Sequence, residues 1–174
     1  MIRVVAHDPA WPARFEAAAQ RIAQALGGVA IRIHHIGSTA IPQTKAKPII
    51  DILLEVTSLV DLDQKTPMLE ALGYEAKGEF GIPGRRYFRL NDSGGTRMHQ
   101  IHAFEAGTPN VVRHVAFRDY MRAHPSLAEE YGTLKERLAI AHPHDMAAYM
   151  DGKDAFVKKH ERHALLWAIP HKAQ

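Results

Sequence analysis

The residues able to do chemistry gather in three stretches. The first is His35-Ile-Gly37-Ser38-Thr39, followed by Lys45, Lys47 and Pro48 and then by Asp51, which stands in the apolar run Ile49 to Val56. A Gly-Ser turn leaving a strand offers backbone N–H groups and a hydroxyl that can hold phosphate oxygens. On a strand, Asp51 shares its face with Leu53 and Glu55. An ionised carboxylate on a buried strand needs a cation, a Lys or Arg partner, or several hydrogen bonds. Mg²⁺ bridging to phosphate is one answer, because this ion takes one or two carboxylates plus substrate oxygens. An ion pair with Lys47 or an arginine that only holds the sheet together is the other. Glu55 lies about 13 Å further along the strand, too far to share an ion with Asp51, and reads as a strand-end surface carboxylate.

The second stretch is Arg97-Met-His99-Gln-Ile-His102. Its His-x-x-His spacing suggests zinc, but on a flat strand residues three apart point to opposite faces. One functional histidine at most is expected: His102, beside Gln100 and Phe104, or His99, beside Ile101 and Ala103. For each, a hydrogen-bonded structural role remains equally open. His160 and His163 have helical spacing for a metal but lack the carboxylate motif of a metalloprotease.

The third stretch is Gly84-Arg85-Arg86-Tyr87-Phe88-Arg89. Arg85, Tyr87 and Arg89 share one strand face and Arg86 lies on the other. Such a row could clamp a phosphate and stack a base, or form a solvated edge strand. Arg113, His114, Arg118 and Arg122 pose the same choice between a binding face and an exposed helix face. Lys153 is a further candidate phosphate contact. The preceding Gly152 costs a helix up to about 1 kcal/mol, so a close contact or a break is expected there. The chain shows no serine-triad elbow, Walker loop or dinucleotide fingerprint.

The elements that must position these groups follow from periodicity. Asp8 caps a helix whose Phe15, Ala18, Ala19, Ile22 and Leu26 recur at helical spacing, and Gly27-Gly28 stops it. Strands are expected over 31–36, 49–56, 74–77, 85–90 and 97–104, with a turn at 91–95. Thr66-Pro67 is expected to open a short helix ending near Gly73. Pro125 and Pro143 divide the C-terminal part into helices of roughly 110–123, 126–141 and 145–167. Strands mixed with helices, then a helical tail, predict an α+β domain.

Composition sets the limits. The chain has 174 residues, 46% hydrophobic and 24% charged, which excludes overall disorder and suits one domain over 1–174. With no cysteine, thiolate zinc sites, iron–sulfur clusters and cysteine nucleophiles are excluded. No apolar run reaches the roughly 18 residues needed to span a bilayer. A cytoplasmic protein with no membrane partner is expected. The net charge of +3 is too small to argue nucleic-acid binding by itself, so RNA is a weak candidate partner.

The sequence resembles the GrpB family. The resemblance rests on Asp8-Pro-Ala-Trp-Pro12, His35-Ile-Gly-Ser-Thr-Ala-Ile-Pro42, Ala46-Lys-Pro-Ile-Ile-Asp-Ile52, Gly84-Arg-Arg-Tyr-Phe88, Ile101-His102, Phe117-Arg-Asp-Tyr120, Arg122-Ala-His-Pro125 and Tyr149…Gly152-Lys153…Phe156. It implies a nucleotidyltransferase-like fold, a mixed β-sheet flanked by helices. It also implies a site in which Gly37, Ser38 and Thr39 hold phosphate and Asp51 holds Mg²⁺, with Mn²⁺ or Zn²⁺ as alternatives. Lys47, Arg85, Arg86, Tyr87, Arg89 and Lys153 would contact the substrate, and His102 would serve as metal ligand or base. Leu53 occupies the position of the superfamily's second acid, and no acid follows on the 97–104 strand. Two functions are therefore expected: metal-dependent transfer of a nucleotidyl or phosphoryl group to an unknown acceptor, or binding of a nucleotide or phosphorylated small molecule without turnover. A histidine-bound transition-metal hydrolase is the least favoured.

Overall fold

The computed structural model describes residues 1–171. Helix α1 (Trp11–Leu26) leads through a 3₁₀ turn into β1 (Ala30–Ile36), and a second such turn at Ser38–Ala40 precedes β2 (Ile50–Val56). Then come α2 (Leu59–Ala71), β3 (Glu75–Ala76), β4 (Arg86–Asn91) and β5 (Arg97–Glu105). Helices α3 (Pro109–Ala123), α4 (Pro125–Ala141) and α5 (Met146–His171) complete the chain. No described helix is long and apolar enough to cross a membrane.

The five strands lie in the order β1-β2-β5-β4-β3. The β2–β5 pair is parallel and the other three pairs are antiparallel. This is the mixed sheet of an α+β fold, and β2, nearly all apolar, occupies an interior position. Alternation sorts its side chains. Ile50, Ile52, Leu54 and Val56 meet Ile101, Ala103 and Phe88 in the main core, together with Trp11, Phe15, Ile22 and Leu26 of α1 and Leu62 and Leu69 of α2. Burying each large apolar side chain contributes about 1.5–3 kcal/mol, so this one-sided packing fixes strand register.

On the other face Leu53 packs with Ile36, Phe104 and Val111. Glu55, expected at the surface, is 3% exposed. His34 Nε2 lies 2.6 Å from its Oε2, and the Gly107 N–H donates to its Oε1 at 3.3 Å. Helix α3 and the loop before it cover this end of the strand, so the carboxylate is buried with partners.

Helix α2 begins earlier than Thr66-Pro67 predicts. Ser58 caps it, its hydroxyl accepting from Asp61 N–H at 3.0 Å, and Pro67 sits inside the helix. An interior proline costs about 3 kcal/mol. The serine cap and the buried Leu62 and Leu69 offset that cost. At Gly152 the close contact applies and the break does not, for α5 continues. A Cβ there would come within 2.3 Å of Leu138 Cδ2 on α4.

Candidate phosphate site

The Gly37-Ser38 turn and Asp51 meet because β1 and β2 pair with Ile36 opposite Asp51. Gly37 has φ 74° and ψ −175°, a conformation open almost only to glycine. A Cβ at this position would lie 2.6 Å from Asp51 Oδ2. The bare backbone therefore lets the turn approach the carboxylate. Arg118 donates to the carbonyl of His35 at 3.3 Å and Arg122 to that of Ala40 at 2.8 Å. Both α3 arginines hold the turn, Arg118 half-buried and Arg122 from an exposed position.

Thr39 is committed internally. It is 2% exposed; its hydroxyl donates to the Ile49 carbonyl at 3.4 Å and lies 2.9 Å from His35 Nε2. Burial, then the nearby Arg122, pushes the His35 imidazole down to about 4. The ring also stacks on Phe15 at 4.8 Å. Ser38 hydrogen-bonds with the Tyr131 phenol, whose own ionisation burial pushes up.

A cavity of about 280 Å³ opens between this turn, the Asp51 face of the sheet and helices α3 to α5. Three lysines reach it. Lys47 comes from the loop before β2, Lys135 from α4 and Lys153 from α5. The chain anchors α4 to the first loop through Thr44, whose hydroxyl donates to the Ala128 carbonyl at 3.2 Å, and through the Lys45–Glu136 pair at 2.8 Å.

None of the three cavity lysines has an ion-pair partner among the described residues. Their Nζ atoms lie over aromatic rings instead. Lys47 and Lys153 each stand 5.3 Å from the Tyr149 ring centre, and Lys135 stands 4.4 Å from that of Tyr131. Burial lowers the Lys47 amine, and the nearby Asp51 charge opposes that shift. Burial, then Lys47, brings Lys153 down to about 8, again against Asp51. Burial, then Lys153 and Lys47, brings Lys135 down to about 6. Across the cavity, Arg113 is bound by both Glu161 oxygens at 3.0 and 3.1 Å, so it carries no spare charge.

The arginine stretch lies elsewhere. Arg85 is buried behind β5, donating to the carbonyls of Glu79 at 3.2 Å and Phe80 at 2.9 Å and to His102 Nδ1 at 3.2 Å. Arg86 grips Asp63 through two bonds, at 2.8 and 3.1 Å, and Arg89 bonds Glu75 at 3.0 Å. Tyr87 is buried against Phe80, with ring centres 5.0 Å apart, and its hydroxyl accepts from Arg97 at 3.3 Å. None of these four lines the cavity.

His102 does line it, and its bonding fixes its tautomer. Guanidinium groups only donate, so Nδ1 must accept from Arg85. Nε2 then carries the proton and donates a hydrogen bond to Asp51 Oδ1, 3.2 Å away. With both nitrogens so used, the imidazole has no lone pair for a metal or for general-base work. It acts as a positioning residue for Asp51. His114 stacks over it at 6.1 Å, and burial, then Arg113, pushes that second ring down to about 3. His99 lies on the opposite face, with its Nδ1 2.9 Å from the Tyr74 hydroxyl.

Among known families, the chain matches over residues 1–163 the one described as GrpB protein. It belongs to the GrpB family. A crystal structure of conserved protein GrpB from Enterococcus faecalis superposes with a TM-score of 0.90 at 43% identity, covering 95% of this chain and 99% of that one. UPF0157 protein YqkA of Bacillus subtilis is 43% identical over 95% of this chain; the chain spans 48%, about half, of that relative. The structure of Cid1 in complex with its short product ApU superposes at 0.55 over 86% of this chain and 48% of that one, with 12% identity. That likeness shows a shared nucleotidyltransferase-like fold.

Within that fold, a resident divalent cation does not fit this GrpB chain. Leu53, at the position of the second acid, is wholly buried in an apolar cluster. Asp51 has one oxygen bonded by His102 and faces three lysines. Among the described residues no group of three or more His, Asp or Glu side chains is placed to hold a metal. A dication would meet a single free carboxylate oxygen amid like charge, against the preference of Mg²⁺ for carboxylates and phosphates. The His160–His163 pair, with ring centres 5.5 Å apart, also lacks a third ligand among the described residues.

Lys135 is the site residue that sequence reasoning missed. In Glu129-Glu-Tyr-Gly-Thr-Leu-Lys-Glu-Arg137 it looks like one more charge on a solvated helix. The available signal was its spacing with Ala128, Tyr131 and Ala139, which marks it as part of the buried stripe of α4.

Proposed function

We propose that this protein binds a nucleotide or another phosphorylated small molecule. The phosphates would lie between the Gly37-Ser38 turn and the amines of Lys47, Lys135 and Lys153. One observation carries the reading: three cavity lysines share a single nearby carboxylate, Asp51, and among the described residues no ion pair neutralises any of them. Buried cations without counter-ions are costly, and an anionic ligand supplies what the protein omits. Asp51 keeps the lysines close together and sets a directional edge for the ligand. The nucleotide class of ligand favours a cytoplasmic setting.

Group transfer is the second reading. It is favoured by the way His102 holds Asp51 beside the phosphate-binding turn, which would leave one oriented carboxylate near an acceptor. The acceptor class is a small molecule or a protein, with RNA less favoured.

The test is calorimetric titration with ATP, GTP, CTP and inorganic triphosphate, with and without Mg²⁺, on the parent chain and on Lys153→Gln. Binding of at least one compound, weakened about tenfold or more by the substitution, supports the proposal. No binding under either condition overturns it. Pyrophosphate release that stops in Asp51→Ala would establish the transfer reading.

A further inference from the structure

Lys135 poses a problem that simple phosphate binding leaves unsolved. It is 2% exposed, yet its Nζ has no hydrogen-bond partner among the described residues. The Tyr131 ring lies 4.4 Å beneath it. Lys47 and Lys153 repel a charge there from the facing loop and from α5, and Asp51 on β2 attracts one. The remaining charged or titratable groups around the cavity are committed: Arg113 to Glu161, His102 to Asp51 and Arg85, and His114 to its stack on His102. Tyr149, on the same wall as Lys153, is wholly buried, and its hydroxyl too has no hydrogen-bond partner among the described residues. The cavity thus contains an orphan donor group in a site short of negative charge.

We propose that the site takes a polyphosphate chain as the free anion, without a divalent cation, and that Lys135 gains a proton from solvent as the ligand enters. The inference rests on the phosphate-binding reading above and specifies the charge state of both partners. The chemistry is a balanced proton transfer. Bulk buffer gives up H⁺, the Lys135 amine becomes an ammonium, and its N–H groups donate to phosphate oxygens. In the empty cavity the neighbouring lysines and burial hold this amine down to about 6. A bound polyanion reverses the local field, and a charge-assisted hydrogen bond to phosphate favours the protonated form. Lys47, Lys135 and Lys153 then provide the neutralisation that a metal ion provides in a two-carboxylate site. Two carboxylates are absent, and three amines stand around the one that remains.

The experiment is calorimetry at about pH 7.5 in excess EDTA, with ATP and inorganic triphosphate in separate arms, repeated in buffers of different ionisation enthalpy. The dependence of observed heat on buffer enthalpy reads the protons taken up. The expected result is binding that persists in EDTA, with net uptake of about half to one proton per ligand. Lys135→Gln should weaken binding by about tenfold or more and abolish most of that uptake. Lys135→Met serves as a second variant, with its fold checked by circular dichroism. Equal affinity in both arms assigns recognition to the polyphosphate chain; tighter ATP binding adds a base or ribose contact within the same chemistry. Binding that vanishes in EDTA and returns with Mg²⁺ overturns this inference and leaves phosphate binding standing. Proton uptake unchanged in both Lys135 variants also overturns it. Failure of every phosphate compound with and without Mg²⁺ overturns both.

Discussion

Replacing Lys135 by methionine removes the buried amine and keeps most of its length. Its pKa falls from 10.5 to about 6 through burial and the charges of Lys153 and Lys47. In the unfolded chain at about pH 7 the amine is protonated, whereas in the empty folded state it is mostly not, and holding it so costs up to about 5 kcal/mol. Replacing buried charges with hydrophobic groups of similar size stabilises by about 1–4 kcal/mol in comparable cases. Lys135→Met is therefore expected to gain about 1–4 kcal/mol at neutral pH in urea unfolding, through a higher midpoint at unchanged slope. The sign with pH follows from linkage. Between about pH 6 and 10 the unfolded chain binds more protons at this position, so parent stability rises with pH and the advantage of the variant shrinks. Titration from about pH 7 to 9.5 checks both effects. A variant less stable than the parent at neutral pH, or a stability gap that stays constant with pH, would refute the reasoning. In the first case the amine has a hidden stabilising partner; in the second it is never deprotonated.

Other substitutions probe separate links. Gly37→Ala forces a glycine-only conformation and a 2.6 Å contact with Asp51 Oδ2; a stability loss of about 1–3 kcal/mol and a loss of phosphate binding are expected, by urea melts and calorimetry. Gly152→Ala should cost about 1–3 kcal/mol despite alanine's better helix propensity, because its methyl meets Leu138; a stabilised variant would contradict the α4–α5 contact. Arg86→Ala and Arg89→Ala should leave phosphate affinity within about twofold, since their guanidinium groups bond Asp63 and Glu75; a tenfold loss would return them to the site. Glu55→Ala, which leaves His34 without its acceptor, should cost about 1–3 kcal/mol, whereas a surface carboxylate would change stability by less than about 0.5.

Element types were legible in this sequence because short-range patterns carry them. Helix periodicity in α1, alternation in β2, Pro125 at the start of α4 and Pro143 before α5 each report a local constraint. Helix α2 was misread because Pro67 is a strong local breaker, and the burial of Leu62 and Leu69 that offsets it is a tertiary quantity. The same division runs through the site. The Gly-Ser turn and Asp51 stand out by composition, and strand alternation correctly separated His99 from His102. The roles of the arginines were not legible, because Asp63, Glu75 and the carbonyls of Glu79 and Phe80 compete for them only in three dimensions.

By itself, then, the sequence determined the family and the α+β class, from stretches spread between Asp8 and Phe156, and the turn-plus-aspartate nucleus, whose Gly37, Ser38 and Asp51 lie within about 15 positions of one another. Only the folded structure decided which cations face that nucleus. Lys47 stands far from Lys135 and Lys153 in the chain, and burial, with the charges of Lys153 and Lys47, turns Lys135 from an ordinary helix lysine into an orphan amine. Helical spacing in α4 marks Lys135 as part of a buried stripe, but the sum of neighbouring charges depends on packing and cannot be read from residue order.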